Sequence, residues 1–433
     1  MADSGSGPGE LISGIRAAGV ALRGRSVMSL VERLGTVGSR FLDPDDPIRA
    51  EAESRVPDDA GVSPPMAREI IEGMARDWTP ERLEGLVRSD FPDPGALDGP
   101  VLGPAGDRWM AVGDDFAFHV ASGSVPGVGA TSLLRSLLVK TPLLLKPGRG
   151  DRVLPELLAR AIAESDAELG AAVVVRYWKG GDGGALEAAA LAEADRVVVY
   201  GANETVDQLR QRVRRGVPVV GYPHRVSVGI VAADVLARRG EELAEDAAWA
   251  AAIFDQRGCV SPHVIWVEGE ADRAVEWASE LARASARLAD RLPPGPLGPG
   301  EASRIQQRRG SLELRAAMAP EGGRVWRGDD LAWTVAVDPD PEFPPSCLGR
   351  TLVVSPTGSL QTLAARLGQH RELLQSVALE VEGSRRMELA EVLARHGVTR
   401  MTTFRRQPWP PAWWKHDGRG PLEVLVRRVS FEE

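Results

Sequence analysis

Cys259 is the first candidate for chemistry in this chain, because it lies where the sequence pattern changes from helix to strand. Upstream, apolar residues recur at steps of four, three and four, which is the spacing of one buried helix face: Leu243, Ala247, Ala250 and Phe254. Gly258 is a residue that easily leaves a helix, and residues 263–267 are rich in the β-branched and aromatic types that favour a strand. We therefore predict that Cys259 occupies a tight helix-to-strand turn, from which a thiol can face a cleft.

An inert thiol is the alternative interpretation of Cys259. A cysteine outside a disulfide is among the most often buried residues and usually behaves as a small apolar side chain. The C-terminal end of a helix also disfavours a thiolate, because the helix dipole is negative there. If Cys259 is a nucleophile, a group elsewhere in the chain must therefore stabilise its thiolate.

Composition sets the broad class of the protein. The 433 residues suffice for a sizeable core and two or three domains, and 43% hydrophobic with 26% charged residues is ordinary for a globular chain. The net charge of −9 argues against nucleic acid or an anionic membrane as the main partner. Two cysteines are too few for a disulfide framework, and we find neither a signal peptide nor an apolar run long enough to span a bilayer. These features predict a cytoplasmic protein.

Strands and helices alternate from about residue 110 to residue 231. Apolar, β-rich runs cover residues 116–121, 142–146, 171–178, 196–200, 217–222 and 225–231. Helical patterns between the earlier runs cover residues 130–139, 152–163, 184–194 and 205–214. This alternation predicts a mostly parallel, doubly wound sheet, in which ligands bind beyond the carboxyl ends of the strands.

Three of these strand ends carry residues suited to a phosphate or a ribose. Residues 122–132 are Gly-rich but lack the full G-x-G-x-x-G spacing of a dinucleotide fingerprint. Lys146 ends an otherwise apolar strand and is a candidate contact of a ribose or a phosphate. Asn203 follows the strand at 196–200 and is a candidate N-cap of a helix whose N–H groups could face an anion. Ordinary turn and sheet-edge roles are the alternative for each.

The remaining patterns divide the chain into four regions. Residues 1–98 carry short helical patterns between Pro- and Asp-rich breaks, which predicts a helical N-terminal region, with a partly disordered lead-in as the alternative. We place the first α/β domain at residues 99–231 and a second, carrying Cys259, at residues 232–400. Residues 401–433 hold three Trp residues close together, and we predict that this tail packs back on the body and ends in an amphipathic helix over 422–429. Lipid contact and oligomer contact are the alternatives for the Trp residues.

Several separated stretches resemble the LuxC-type fatty acyl-CoA reductases, a branch of the aldehyde dehydrogenase superfamily, and occur in the same order. Residues 254–262 read Phe-Asp-Gln-Arg-Gly-Cys-Val-Ser-Pro and resemble the nucleophile segment. The other stretches are residues 119–127, 145–146, 177–182, 199–206, 224–227 and 414–418. The resemblance implies an aldehyde dehydrogenase-like α/β fold of two doubly wound domains, one Rossmann-like for a cofactor and one catalytic with Cys259, with a cleft between them.

The resemblance implies acyl transfer to Cys259 followed by reduction. The thiolate would attack an acyl thioester such as acyl-CoA, and hydride from a nicotinamide cofactor would then yield the aldehyde. The backbone N–H of Cys259 is the implied first donor to the oxyanion. Many members of the superfamily carry a Glu general base that activates water. The corresponding residues of this chain, 221–226, include no carboxylate. This absence favours thioester reduction over aldehyde oxidation. His224 is a candidate for proton transfer, with hydrogen bonding at the sheet edge as the alternative.

Ser124 departs from the pattern of the family, which supplies an Asn amide as the second oxyanion donor. Residues 122–126 read Ser-Gly-Ser-Val-Pro, so that Ser124 stands where the family has Asn. A Ser hydroxyl can donate but reaches less far, and loss of one such donor typically costs about 10²–10³-fold in turnover. The replacement predicts a slow enzyme or a donor acting through a water. It also motivates the alternative of a non-catalytic acyl-cysteine carrier or interaction subunit.

The resemblance also assigns a nicotinamide cofactor, NADPH in preference to NADH, to the first domain. Lys146 would contact the adenosine ribose or its 2′-phosphate, and the remaining cofactor residues would be Gly201, Asn203, Glu204, Ser122 and Gly123. Glu342 and Phe343 are candidates for a ribose contact, although their spacing differs from that of the superfamily. No metal is implied, and Cys347 is assigned a structural role.

The leaving group stays open at this point. A carrier-protein thioester or an acyl phosphate would serve as well as acyl-CoA, because the leaving group departs before reduction. Analogy with the superfamily implies a homo-oligomer, and an acyl-transferring protein is a candidate partner.

Overall fold

The computed structural model describes residues 7–103, 106–319, 323–343 and 349–432. The chain divides into two compact units. The first comprises Met1–Ala60, Ile70–Pro223 and Pro411–Glu433, and the second comprises Gly61–Glu69 and His224–Pro410.

Ten helices and seven strands are described up to Tyr222. The helices are α1 (Pro8–Arg23), α2 (Val27–Ser39), α3 (Pro47–Ala60), α4 (Pro64–Ala75), α5 (Pro80–Asp90), α6 (Val128–Leu138), α7 (Val153–Ser165), α8 (Ala167–Ala171), α9 (Gly184–Glu193) and α10 (Asn203–Arg212). The strands are β1 (Val101–Leu102), β2 (Arg108–Val112), β3 (Ala117–Val120), β4 (Leu143–Lys146), β5 (Val173–Val175), β6 (Arg196–Tyr200) and β7 (Val219–Tyr222).

The five strands β3–β7 form a parallel sheet in the order β5-β4-β3-β6-β7, which agrees with the predicted doubly wound sheet. Every residue of β3 is buried, as expected for a central strand covered on both faces. Ile12 and Ile15 of α1 pack into the same core as Phe116 and Phe118. The N-terminal helices therefore contribute directly to the hydrophobic core beneath this sheet.

The second unit continues the alternation of strands and helices. Its elements are β8 (Val226–Val231), α11 (Ala233–Ala252), β9 (Pro262–Glu268), α12 (Ala271–Arg291), α13 (Pro299–Met318), β10 (Arg324–Arg327), β11 (Thr334–Val337), β12 (Thr351–Thr357), α14 (Leu360–Leu367), β13 (Leu374–Glu380), α15 (Gly383–Arg395) and β14 (Arg400–Thr402). These strands form a seven-stranded sheet in the order β10-β11-β12-β9-β8-β13-β14. Neighbours are parallel except for the antiparallel pair β10 and β11.

The structure moves the predicted boundary between the two α/β domains. We placed residues 225–231 at the end of the first domain, whereas β8 lies between β9 and β13 in the seven-stranded sheet. All six residues of β8 are buried, so an apolar run alone could not reveal which of two sheets it joins. The boundary follows Pro223, which precedes β8.

The predicted amphipathic helix over residues 422–429 is wrong. Leu422 is buried, Glu423–Leu425 form a short 3₁₀ turn, and the chain then enters strand β15 (Arg427–Phe431). β15 pairs antiparallel with β2 in a three-stranded sheet of order β1-β2-β15. The pairing with β2, more than 300 residues away, overrides the helical spacing of the apolar residues.

The tail makes specific contacts within the first unit. The Trp413 ring lies 4.2 Å from the Arg82 guanidinium, and Lys415 donates to the Ser89 carbonyl oxygen (3.1 Å). The backbone N–H groups of Leu422 and Glu423 donate to the Asp90 carboxylate (2.7 and 3.0 Å). Over the described ranges, no helix is both long enough and apolar enough to span a membrane.

Candidate active site

The turn that carries Cys259 is built on left-handed backbone. α11 ends at Ala252, and the next residues include three consecutive non-glycine positions with positive φ: Phe254 (58°), Asp255 (51°) and Gln256 (62°). Such a conformation costs roughly 1–2 kcal/mol per residue, so the surroundings must hold it. Our prediction that Gly258 ends the helix is therefore wrong, because the chain leaves the helix before Gly258 is reached.

Buried side chains hold this left-handed turn. The Asp255 carboxylate accepts hydrogen bonds from Arg350 (2.7 and 2.9 Å) and from the Gly295 N–H (3.1 Å). Gln256 donates to the Pro262 (2.8 Å) and Thr351 (2.7 Å) carbonyl oxygens and accepts from the Thr351 N–H (2.8 Å). Gln256 thus ties the turn to the first residues of β9 and β12, and Asp255 ties it to Arg350, the residue before β12.

Cys259 follows this turn and is partly exposed. Its carbonyl oxygen accepts a hydrogen bond from the Ser227 hydroxyl (2.7 Å), which lies near the start of β8. The turn therefore lies at the amino ends of β8 and β9, as expected for a helix-to-strand turn. The rule that ligands bind beyond the carboxyl ends of parallel strands applies to the ligands of a sheet, and it does not predict the position of a proposed nucleophile on a turn.

Ser122, Gly123 and Ser124 form the loop after β3. The Ser124 hydroxyl is exposed and lies 2.8 Å from the Ser122 hydroxyl. A Cβ atom on Gly123 would lie 1.7 Å from the Arg149 carbonyl oxygen, and one on Gly148 would lie 2.2 Å from the Gly123 nitrogen. The glycines therefore allow the loops after β3 and β4 to touch, a structural role that the sequence did not reveal.

Carboxylates of the protein occupy the N-termini of α6 and α7. Asp151 accepts from the N–H groups of Gly127 (2.6 Å) and Gly129 (2.7 Å), and Asp59 accepts from the N–H groups of Arg152 (2.7 Å) and Val153 (3.2 Å). Burial raises the pKa of Asp151 to about 8, although both N–H groups oppose this. The two helix ends that follow β3 and β4 are therefore filled, and a phosphate in this unit needs another position.

The N-terminus of α10 carries Gly201, Asn203 and Glu204 after β6. Asn203 is not the N-cap that we predicted, because the capping position is Ala202, which has no side-chain oxygen. The Ala202 carbonyl oxygen accepts from the N–H groups of Thr205 (3.0 Å) and Val206 (3.1 Å), so Asn203 is already the first residue of the helix. Asn203 and Glu204 are exposed in its first turn.

Lys146 ends β4 beside a large cavity. Burial lowers the pKa of Lys146, and the nearby Glu187 carboxylate opposes that shift. The cavity, of about 770 Å³, is lined by residues from α3 and α7 and from the ends of β4 and β5: Ser54, Arg55, Asp58, Asp59, Pro147, Arg152, Val153, Glu156, Val175, Arg176 and Tyr177. Its position beyond the carboxyl ends of parallel strands is the one predicted for a ligand.

The cations of this cavity differ in their partners. Arg152 pairs with Asp59 (2.5 Å) and lies over the Tyr177 ring (5.0 Å), and Arg55 pairs with Glu156 (3.1 Å). Arg176 donates to the Val175 carbonyl oxygen (3.2 Å) and forms no ion pair within the described part of the chain. Arg176 is therefore the cavity residue best suited to bind an added anion.

The other predicted residues lie apart from these features. His224 is exposed in the segment before β8. Glu342 accepts from Arg308 (2.7 Å), and the Phe343 ring packs on Trp266 and His370, with centroids 5.9 and 4.9 Å away. Both side chains therefore have structural partners. Cys347 lies outside the described residues.

A stack of aromatic rings in the first unit was not predicted. The rings of Tyr200, Tyr222, His416 and Trp414 lie in succession, with centroids 4.6, 4.4 and 4.4 Å apart. Tyr200 and Tyr222 end the neighbouring strands β6 and β7, and Trp414 and His416 come from the tail. The two Tyr at strand ends were the only signal in the sequence, and the partner rings are almost 200 residues away.

Comparison with known proteins identifies relatives over most of the chain. Residues 22–428 match the family described as acyl-CoA reductase (LuxC). The long-chain acyl-protein thioester reductases of Aliivibrio fischeri and Photobacterium leiognathi are 25% and 23% identical over 336 and 338 residues. Each match covers 75% of this chain and 67% of the relative.

Solved aldehyde dehydrogenases share the fold. An aldehyde dehydrogenase C variant from Pseudomonas syringae, bound to NAD⁺ and octanal, superposes with a TM-score of 0.75 at 13% identity, covering 98% of this chain and 88% of that chain. The NADP-dependent glyceraldehyde-3-phosphate dehydrogenase from Bacillus halodurans, bound to NADP, gives a TM-score of 0.73 at 12% identity, with 98% and 90% covered. The fold is therefore aldehyde dehydrogenase-like, as predicted.

Proposed function

The chain belongs to the LuxC family of acyl-CoA reductases, and on this premise we propose that Cys259 is the nucleophile that takes up the acyl group. The observation that carries the proposal is the strained turn before Cys259. Three left-handed residues are held by the buried Asp255 and Gln256, and Cys259 follows them partly exposed. Strain of this kind is concentrated at functional sites, where the surroundings fix one side chain in place.

Attack by the Cys259 thiolate on an acyl thioester forms a new thioester on the protein and releases the donor thiol. The backbone N–H of Cys259 is the proposed first donor to the oxyanion of this step. The Ser227 hydroxyl donates to the Cys259 carbonyl oxygen (2.7 Å) and so holds the peptide unit that follows Cys259, which restricts movement of the turn. Residues 221–226 carry no carboxylate to activate water, which protects the acyl-enzyme from hydrolysis.

We propose that a nicotinamide cofactor binds the first unit. The N-terminus of α10, with Gly201, Asn203 and Glu204, is the proposed pyrophosphate position, because carboxylates fill the N-termini of α6 and α7. Lys146 and the adjacent cavity are the proposed position of the adenosine end, and a cavity of about 770 Å³ is large enough for it. When bound, the reduced nicotinamide supplies the hydride that converts the acyl group to the aldehyde.

NADPH is the proposed preferred cofactor, because Arg176 presents a guanidinium to the cavity. We expect Arg176→Ala to raise KM for NADPH about tenfold, the effect of losing one charge-assisted hydrogen bond of about 1.5 kcal/mol to a 2′-phosphate. KM for NADH should stay unchanged, because NADH lacks that phosphate. Steady-state kinetics with both cofactors measures the difference.

Arg160→Ala is the matched control for Arg176→Ala. Arg160 lies on α7 outside the cavity lining and pairs with Glu51 and Glu164. This variant should leave both KM values unchanged. Equal KM values for NADPH in the Arg176→Ala and wild-type proteins would remove Arg176 from cofactor selection.

Ser124 is the proposed second oxyanion donor, in place of the family's Asn. If its shorter reach limits the reaction, Ser124→Asn should raise kcat by roughly tenfold or more, and Ser124→Ala should lower it. The hydroxyl contact with Ser122 (2.8 Å) ties Ser124 to its own loop, which is consistent with weak donation to substrate. Unchanged kcat in both variants would mean that another group holds the oxyanion.

The acyl donor is proposed to be a long-chain thioester. The family description names acyl-CoA, whereas the relatives from Aliivibrio fischeri and Photobacterium leiognathi are named for acyl-protein thioesters. Aldehyde formation with a long-chain acyl-CoA, compared with the same acyl group on a protein thiol, distinguishes the two donors. Formation of aldehyde from neither donor would contradict the proposed activity.

A further inference from the structure

A row of residues crosses the amino end of the seven-stranded sheet from the Cys259 turn to Arg400. Pro262 of β9 pairs in register with Ser227 of β8, and the Ser227 hydroxyl lies 2.8 Å from the Ser376 hydroxyl of β13. Ser376 pairs in register with Arg400, the first residue of β14. Since adjacent strands lie about 4.8 Å apart, Arg400 starts about 10 Å from β8, a distance that an arginine side chain largely spans.

The Arg400 guanidinium is fixed at this end of the sheet. It is 9% exposed and donates to the carbonyl oxygens of Gln407 (2.8 Å) and Arg406 (2.6 Å). The Gln407 side chain donates in turn to the Val228 carbonyl oxygen on β8 (3.1 Å). These bonds direct the guanidinium from β14 back toward β8, whose Ser227 holds the carbonyl group of Cys259.

We propose that Arg400 stabilises the Cys259 thiolate and is thereby a positioning residue for the nucleophile. This inference rests on the proposed role of Cys259. It answers the requirement set by the sequence, that a group elsewhere in the chain must stabilise the Cys259 thiolate. A positive charge on a long, buried and doubly anchored side chain meets that requirement.

The electrostatics of the pair agree with this assignment. Burial lowers the pKa of Arg400 to about 10, and attraction to Cys259 opposes the shift. Arg400 therefore remains charged at pH 7. The same attraction must favour the thiolate form of Cys259, because the interaction between two groups is mutual.

Other ionisable groups around the turn are engaged elsewhere. Asp255 and Arg350 form a buried pair, Arg257 lies 3.7 Å from Glu301, Arg225 donates to the Glu372 and Leu374 carbonyl oxygens, and Glu380 accepts from the Phe404 N–H. His263, buried on β9, is the remaining side chain of this set that can change charge near neutral pH. A test of Arg400 must therefore separate its effect from that of His263.

The first test uses the wild-type protein. The rate of Cys259 alkylation by iodoacetamide is measured as a function of pH, and peptide mass separates this reaction from that of Cys347. The midpoint of the pH dependence gives the pKa of the Cys259 thiol. We expect a pKa clearly below the ordinary 8.5. A value of 8.5 or above would overturn the proposal, whatever the variants do.

The second test uses Arg400→Gln. We expect its Cys259 pKa to rise by about one unit, so that alkylation at pH 7 slows about tenfold, whereas Arg400→Lys should restore most of the rate. Arg386→Gln is the matched control, because Arg386 also donates to strand carbonyl oxygens, those of Leu379 on β13 and Thr402 on β14 (3.4 Å for the latter). Arg386→Gln and His263→Gln should keep the wild-type pKa. A folded Arg400→Gln with the wild-type profile would overturn the proposal.

Acyl-enzyme formation separates this inference from the proposed function. If wild-type protein forms the acyl-cysteine while its Cys259 pKa is ordinary, Cys259 is the nucleophile and Arg400 does not stabilise its thiolate. If Cys259 has a low pKa that depends on Arg400 but never becomes acylated, the inference holds and the proposed function fails.

Discussion

Cys259→Ala is expected to abolish aldehyde formation and to leave cofactor binding unchanged. Without the sulfur there is no group to take the acyl chain from its donor, so the loss should exceed about 10³-fold in turnover. Because Cys259 lies after the left-handed turn and is partly exposed, removing its side chain should not disturb the buried bonds of Asp255 and Gln256. Aldehyde release under saturating acyl donor and NADPH measures the loss, and fluorescence of bound NADPH measures cofactor binding.

Cys347→Ala is the control for the Cys259 variant, since it removes the second cysteine of the chain. It should keep both the acyl adduct and the turnover. Retained aldehyde formation in Cys259→Ala would end the assignment of the nucleophile. Loss of activity in Cys347→Ala, with wild-type stability, would indicate that Cys347 takes part in the reaction and that Cys259 was the wrong assignment.

Asp255→Ala is expected to cost about 3–5 kcal/mol of stability, because it leaves the Arg350 guanidinium buried without its counter-charge. The two side chains are 6% and 5% exposed, and two Arg350 nitrogens donate to one Asp255 oxygen (2.7 and 2.9 Å). The left-handed backbone before Cys259 would also lose its main support. Urea unfolding of the whole protein, followed by far-UV circular dichroism, measures the change.

Glu382→Ala is the matched control for the buried pair. Glu382 pairs with Arg238 across 2.6 Å, but their side chains are 53% and 52% exposed, so removal should cost no more than about 1 kcal/mol. Replacing both members of the buried pair by apolar residues, in Asp255→Leu with Arg350→Met, should recover only part of the lost stability, because the Gly295 N–H still loses its acceptor. A cost for Asp255→Ala as small as that for Glu382→Ala would contradict this account of the turn.

The sequence correctly predicted elements whose conformation follows from their own local composition and hydrophobic spacing. Residues 196–200 form β6 with the predicted bounds, and the run predicted over residues 142–146 forms β4 (Leu143–Lys146). The segment around Cys259 resembles the nucleophile segment of the family, and it lies between a helix and a strand as predicted. Local composition and period were sufficient in these cases.

The sequence could not predict features set by distant partners. The left-handed turn at Phe254–Gln256 depends on Arg350 and Thr351, about 95 residues later, so Gly258 was taken for the end of the helix. The start of α13 at Pro299 is hidden by the Pro- and Gly-rich residues 293–300, whose composition is typical of a loop. The cation proposed to serve Cys259 is on β14, which joins the sheet at its far edge.

The region proposed to bind the cofactor also combines features that the sequence predicted with features set by distant elements. The predicted strand ends at Lys146 and Tyr200 are correct, because the strands themselves are strongly apolar. The carboxylates that fill the N-termini of α6 and α7 come from other elements, and only the structure reveals that Asp151 and Asp59 occupy them. This occupation narrows the positions at which a pyrophosphate can bind.

The most direct test of the central claim is the intact mass of the protein after exposure to long-chain acyl-CoAs, recorded before and after NADPH is added. The account predicts one acyl adduct, mapped to Cys259, which disappears with NADPH as aldehyde forms. An adduct that persists in the presence of NADPH would favour an acyl-cysteine carrier over a reductase. The absence of any adduct with every chain length would contradict acyl transfer from CoA to Cys259.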